Sequence, residues 1–209
     1  MPDCAICSKQ STLTCDNCRK IHYCSEDCLE ADAHLHNIIC EAVADFTAPR
    51  PSSDHYIAFF FPDPPARSRD DDDKDEDEDD EMSDAAVPKL VWIKSTYNED
   101  EDYLESDEDE IEAVMGINPG DGVKKVTQHI DDDNEKFIRI WRHKLAALVG
   151  LEYNSIINGI DEDCYWRGPV LVQTGIAGEL LEPLEIRDME ATDMKDIVIF
   201  CGEFGRDLG

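Results

Sequence analysis

The chain reads as a small metal-stabilised head followed by an α+β domain that two acidic inserts interrupt. Three observations carry that reading. Seven of the nine cysteines fall within the first forty of 209 residues, in regular pairs beside a histidine. After residue 55, short aromatic and β-branched runs recur, bounded by proline and glycine, as strands do. The formal charge of −31 is concentrated: Asp70–Glu81 holds eleven acids and one lysine and Glu99–Glu112 holds ten acids, so two runs carry −20 of it.

Composition sets the boundaries. The head spans residues 1–45. Residues 46–55, with Pro49, Pro51 and the small polar Ser52 and Ser53, have the character of a linker. The α+β domain then takes residues 56–209. Tyr56–Phe61, stopped by Pro62, and Leu90–Ile93 read as two strands of one body. The acidic run between them cannot bury enough apolar surface to offset its chain entropy. Disordered inserts are therefore expected at about residues 66–87 and 98–112. Val123–Ile130 reads as a strand. Phe137, Ile138, Ile140, Trp141, Leu145 and Leu148 fit either a strand or a helix, and the choice stays open. Val170–Gln173, after Gly168-Pro169, reads as a strand. Met194, Ile197, Val198, Cys201 and Phe204 fall at helical spacing, with Thr192 placed as N-cap and Asp193 in the first turn. A helix packed on a small sheet is expected, and with its own strands and helix the body is expected to survive loss of the head.

The charge excludes some functions. Binding to duplex nucleic acid or an anionic membrane needs clustered Lys and Arg, and no run exceeds Arg19-Lys20 or Lys124-Lys125. Neither direct nucleic-acid binding nor membrane association is expected. The start of the chain lacks the basic and apolar regions of a secretory signal, so the protein is expected inside the cell, in cytoplasm or nucleus, and not secreted. In such a reducing compartment the paired cysteines read as metal ligands rather than disulfides.

The pairs are Cys4-x2-Cys7, Cys15-x2-Cys18, Cys24-x3-Cys28 and His36-x3-Cys40, eight donors in all. A C-x2-C turn lets two thiolates reach one ion, and residues four apart on a helix share a face. Eight donors make two closed tetrahedral zinc sites, each drawing one pair from a turn and one from a helix. His34 competes with His36, but only His36 stands four residues before Cys40. Spacing alone allows the four pairs to combine sequentially or in an interleaved way.

The full pattern C-x2-C-x7-C-x2-C-x5-C-x3-C-x7-H-x3-C, with Tyr23 before Cys24, resembles the MYND-type zinc finger over Cys4 to Cys40. The resemblance implies interleaving: one zinc on Cys4, Cys7, Cys24 and Cys28, the other on Cys15, Cys18, His36 and Cys40. It also implies a protein-interaction module that docks short proline-containing peptides. Family members commonly carry Gln just after the sixth ligand and Trp five positions after it. This chain has Leu29 and Ala33 there, so the zinc fold carries over and the aromatic peptide contact does not. The remainder is similar to fungal MYND-finger proteins of unknown activity through Phe60-Phe61-Pro62, Val91-Trp92, Asn154-Ser155-Ile156, Trp166-Arg167-Gly168-Pro169 and Asp188-Met189-Glu190.

No nucleophile elbow, phosphate loop or HExxH pair is present, nor the Asn-His-x-Cys motif of the lysine methyltransferases that also carry such fingers. His129 and His143 read as surface or satisfied residues, and Cys164 and Cys201 as small packed hydrophobes. The expectation is an intracellular adaptor that binds protein partners, possessing no catalytic site. Two alternatives are a hydrolase or transferase on the C-terminal domain, and an acidic-tract binder of histones or other basic proteins.

Overall fold

A computed structural model describes residues 2–63, 87–98, 103–129, 136–160, 166–177 and 183–204. The head is a two-stranded hairpin, β1 (Leu13–Thr14) and β2 (His22–Tyr23), followed by a twenty-residue helix α1 (Glu26–Asp45). The body, in chain order, is β3 (His55–Phe61), β4 (Lys89–Asn98), β5 (Tyr103–Ser106), α2 (Glu108–Met115), β6 (Val123–His129), β7 (Lys136–His143), α3 (Ser155–Ile160), β8 (Val170–Ala177), β9 (Pro183–Arg187), a 3-10 turn (Ala191–Asp193) and α4 (Met194–Phe204).

The body is more β-rich than an α+β domain with a small sheet. Among the described residues seven antiparallel strands form one sheet in the order β5-β4-β3-β8-β7-β6, with β9 beside the second half of β8. The sheet curls. Ser106 on β5 donates to Gln173 Oε1 on β8 at 2.9 Å, although β4 and β3 lie between those strands in sheet order. Arg139 on β7, 2 % exposed, likewise reaches the Leu104 carbonyl and Ser106 Oγ on β5. Trp141 Nε1 completes this interior network on Gln173 Oε1 at 2.8 Å.

Strand alternation assigns the two faces. On the inner face Ala58, Phe60, Ile93, Trp141 and Leu171 pack around Ile111 and Met115 of α2. On the outer face Phe59, Phe61, Ile138, Ile140, Val170 and Val172 pack with Trp166, Ile197 and Phe200. That same outer cluster includes Ile21, Tyr23, Ile39 and Val43 of the head. Head and body therefore share one continuous core. Residues 46–55 are docked too. The Trp92 indole donates to the Ala48 carbonyl at 3.1 Å, and Arg50 stacks 4.9 Å from the Trp92 ring while pairing with Asp188.

Two further expectations change, and one open choice resolves. Of the acidic stretch 98–112, Asn98 ends β4 and residues 99–102 lie outside the described residues, but from Tyr103 the chain is ordered as β5 and α2. Asp107 caps α2 by accepting from the Glu110 N–H at 3.0 Å, and Gly116 closes it in the left-handed conformation at φ +67°. The insert at 66–87 lies outside the described residues except Val87, and Cys164 lies wholly outside. Thr192 is not an N-cap: Glu190 caps the 3-10 turn that leads into α4, and its backbone N–H donates to Asp193 Oδ2 at 2.8 Å. The open choice at 137–148 resolves as strand through His143, because β6 and β8 flank β7 on both sides; turns follow. His143 is buried, and its Nδ1 accepts from the Leu145 N–H at 3.0 Å.

Asn154 ties the α3 corner to the sheet. Fully buried, its side-chain oxygen accepts from the N–H groups of Ile156 and Ile157, and its amide nitrogen donates to the carbonyls of Phe61, Pro62 and Gly168. Asn meets both demands because it carries an acceptor and two donors on one short side chain.

Candidate metal centre

Each thiol pair from a turn sits on the same local device. The Ser8 N–H donates to the Cys4 carbonyl at 3.0 Å, and the Arg19 N–H to the Cys15 carbonyl at 3.1 Å. Ser8 and Arg19 take positive φ, +56° and +54°, immediately after the second cysteine. The chain thus turns back on itself with both sulfurs on one side. The helical pairs come from α1. Ser25 caps it by accepting from the Cys28 N–H at 3.3 Å, which fixes Cys28 in the first turn below Cys24. His36 and Cys40 lie one turn apart further along the same helix. Tyr23, 1 % exposed, sets the helix against β2: its hydroxyl donates to Asp32 Oδ2 at 2.7 Å and its ring meets the His36 imidazole edge-on at 6.4 Å.

These elements bring the eight residues into two groups, each with four donor atoms within 4.8 Å of one another: Cys4, Cys7, Cys24 and Cys28, and Cys15, Cys18, His36 and Cys40. In the first group Cys7 and Cys24 Sγ are 3.4 Å apart and Cys24 and Cys28 Sγ 3.6 Å. In the second, His36 Nε2 lies 3.2 Å from Cys15 Sγ and 3.8 Å from Cys18 Sγ, and Cys15 and Cys40 Sγ are 3.8 Å apart. Tetrahedral zinc with bonds of about 2.3 Å holds its sulfurs about 3.7 Å apart, whereas a disulfide needs about 2.05 Å. The spacing is that of ligands round an ion. All seven cysteines are free.

The charge balance points the same way. Burial pushes the Cys4 thiol up, but hydrogen bonds from the backbone N–H groups of Cys7, Ile6 and Cys24 outweigh it and bring Cys4 down to about 6. Cys15 also falls to about 6, against burial, through the Cys18 N–H and the His36 side chain. Cys24 is pushed up to about 12 by the hydrogen bonds it shares with Cys7 and Cys28. Burial raises Cys40 as well. Four clustered thiols cannot all ionise beside one another without a cation, and a dication removes that conflict.

The arrangement is interleaved, the first pair with the third and the second with the fourth, and the sequential alternative is excluded. The Ala5 N–H bonded to the His22 carbonyl at 2.9 Å lays the first turn against β2, next to Cys24. Both groups offer four protein donors, which closes each site as structural zinc requires. His34 takes no part: its Nε2 faces the Gly159 carbonyl at 3.1 Å and links α1 to α3. Supporting residues beyond the ligands are Ser25, Tyr23, Asp32 and Asn17, whose side-chain amide donates to Cys40 Sγ at 3.2 Å. Of these, Ser25 before Glu26-Asp27 is a recognisable cap signature in the sequence, whereas Asn17 carries no local signal.

Fold and site together define a two-zinc finger with interleaved ligands. The family model described as MYND finger matches residues 4–40, and the chain carries a MYND-type zinc finger over those residues. Neither the comparison with curated proteins nor the comparison with solved structures returned a match. Among the described residues no helix is long and apolar enough to cross a membrane.

Proposed function

We propose that this protein is an intracellular adaptor that uses its zinc finger and β-rich body to hold protein partners and performs no catalytic step. One observation carries the reading: each metal group supplies four protein donors, so the zinc ions act as cross-links and leave no coordination position for a substrate. MYND fingers are protein-interaction modules, which supports the same conclusion. The overall charge disfavours nucleic acid as the direct partner. The test is affinity purification from the native cell with the zinc-loaded full chain and with Cys18→Ser/Cys40→Ser. Partners held by the first and lost by the second are expected. An identical partner set for both chains, or zinc-dependent turnover of a small-molecule substrate, would sink the reading.

A further inference from the structure

The two metal groups differ in exposure and in charge. In the second, Cys18, His36 and Cys40 are buried and Cys15 is half-buried; in the first, Cys4 is buried, Cys24 and Cys28 are half-buried and Cys7 is exposed. Cys7 sits on an open turn, since the chain from Ile6 to Gln10 faces solvent throughout and Ile6 itself is 41 % exposed. Four thiolates round a zinc dication leave a net charge of about −2, whereas three thiolates with a neutral imidazole leave about −1. The sulfurs of the first group are therefore the more electron-rich. In the second group the Asn17 amide donates to Cys40 Sγ at 3.2 Å, which draws charge from that sulfur. Exposure and electron density coincide at Cys7.

A second thiol stands beside it. Cys24 Sγ lies 3.4 Å from Cys7 Sγ, and contacts that do not involve the metal hold the two segments together. The Ala5 N–H donates to the His22 carbonyl at 2.9 Å, and the Thr12 hydroxyl donates to the Cys24 carbonyl at 3.1 Å. Cys24 precedes Ser25, the cap of α1, so it can close on Cys7 without unwinding the helix, whereas Cys28 lies inside the first turn. An accessible thiolate with a resolving thiolate next to it is the arrangement that reversible oxidation requires.

We propose that Cys7 and Cys24 form a peroxide-sensitive modification site whose oxidation releases the first zinc and spares the second. The Cys7 thiolate attacks one oxygen of hydrogen peroxide; an S–O bond forms, the O–O bond breaks, and the departing hydroxide takes a proton to become water. The Cys24 thiolate then attacks the Cys7 sulfur of that sulfenic acid; the S–S bond forms, the S–O bond breaks, and the second hydroxide also takes a proton to become water. The sulfurs together lose the two electrons that the peroxide gains. Zinc left with Cys4 and Cys28 alone has lost half of its donors and dissociates. Hydrogen peroxide is uncharged, so the net charge of −31, which repels an anionic oxidant such as glutathione disulfide, does not hinder it. Oxidation dismantles the first turn and the start of α1, while Cys15, Cys18, His36 and Cys40 keep their ion and α1 stays on the shared core. The inference holds whatever the finger binds, so it stands apart from the adaptor reading.

The test treats the zinc-loaded full chain with hydrogen peroxide, reads free zinc with a chromogenic indicator, and maps every cysteine by alkylation and peptide mass after an acid quench. About one zinc ion per chain should leave, in step with a Cys7–Cys24 disulfide, while Cys15, Cys18 and Cys40 stay reduced and the second ion stays bound. A thiol reductant with added zinc should restore the first site. Cys7→His, which replaces the exposed sulfur by a donor that zinc also accepts, should slow release by about tenfold or more. If that variant does not hold both ions, the map of the unaltered chain decides. Simultaneous loss of both ions, earlier loss of the second, or a disulfide that leaves out Cys7 would overturn the proposal. Oxidation confined to Cys164 or Cys201 with both ions retained would overturn it as well.

Discussion

Ile39→Ala tests whether finger and body are one folding unit. Ile39 is wholly buried on α1, one residue before the ligand Cys40, in a cluster that joins Tyr23 and Val43 of the finger to Phe59, Phe61, Trp166 and Phe200 of the body. Truncating a buried isoleucine to alanine removes transfer energy and leaves a cavity, at about 2–5 kcal/mol. For a chain of this size each kcal/mol moves the midpoint about 2–4 °C, so a loss of about 3 kcal/mol lowers it by about 6–12 °C. The molecule supplies two separate reporters. All three tryptophans, at 92, 141 and 166, lie in the body, and Trp141, 1 % exposed on the inner face away from the finger, gives the signal that follows the body. Zinc release, read with a chromogenic chelator, follows the finger. Both transitions should fall together in Ile39→Ala, and Ile111→Ala, inside the curl on the other face of the sheet, should advance zinc release in the same way. If Ile39→Ala advances zinc release while the tryptophan midpoint stays within about 1 °C, the shared core does not couple the two halves.

Metal analysis should give about two zinc ions per chain, and cadmium-substituted protein should show metal-observed NMR correlations joining Cys7 with Cys24 and Cys15 with Cys40; a correlation joining Cys7 with Cys15 contradicts the interleaved sites. Asn154→Ala should cost about 3 kcal/mol in urea unfolding, since it removes a helix cap and leaves the carbonyls of Phe61 and Gly168 buried without a donor; a change under about 0.5 kcal/mol would refute that role. Burial pushes the Asp193 carboxyl up, but its hydrogen bonds with Arg187 and the charge of Lys136 outweigh this and hold it below its ordinary 3.8. Its stabilisation is therefore complete above about pH 4 and lost as the pH falls through the folded value. Asp193→Asn should accordingly lower the midpoint at pH 7 and flatten its decline on acidification below about pH 4, and parallel curves for the two proteins would argue against it.

The metal sites are legible in the sequence because zinc binding is a local constraint: two residues apart in a turn, or four on a helix, are written directly in the spacing. Which pairs combine is not local. That depends on β1 folding back on β2 and on the Ala5 to His22 hydrogen bond, and no spacing encodes it. The strands at 55–61, 89–98 and 170–177 are visible as apolar runs. Their curl depends on Ser106, Gln173 and Arg139 meeting across several strands, and such non-local pairing leaves no periodic mark. At 103–112 average charge hides the pattern. Glu105, Glu108 and Asp109 face solvent, while Leu104, Ile111 and Met115 turn inward. The signals of order are the Asp107 cap and Gly116, which a count of acids passes over.

The shared core escapes a reading by composition for a related reason, although α1 announces it. A helix serving only the zinc sites has no need to continue past Cys40. This one runs another turn, to Asp45, and presents Ile39 and Val43 at a spacing of four. A metal cross-link already stabilises a head of this size, so additional apolar residues beyond the ligands require a second surface to cover them. In this protein that surface is the outer face of the sheet, between Phe59, Phe61 and Ile138. Apolar residues that continue beyond a finger's last ligand are therefore a sign, written in the amino-acid sequence itself, that the finger is built into a larger body. Counting them in the chain after the last histidine or cysteine separates an embedded finger from a tethered one.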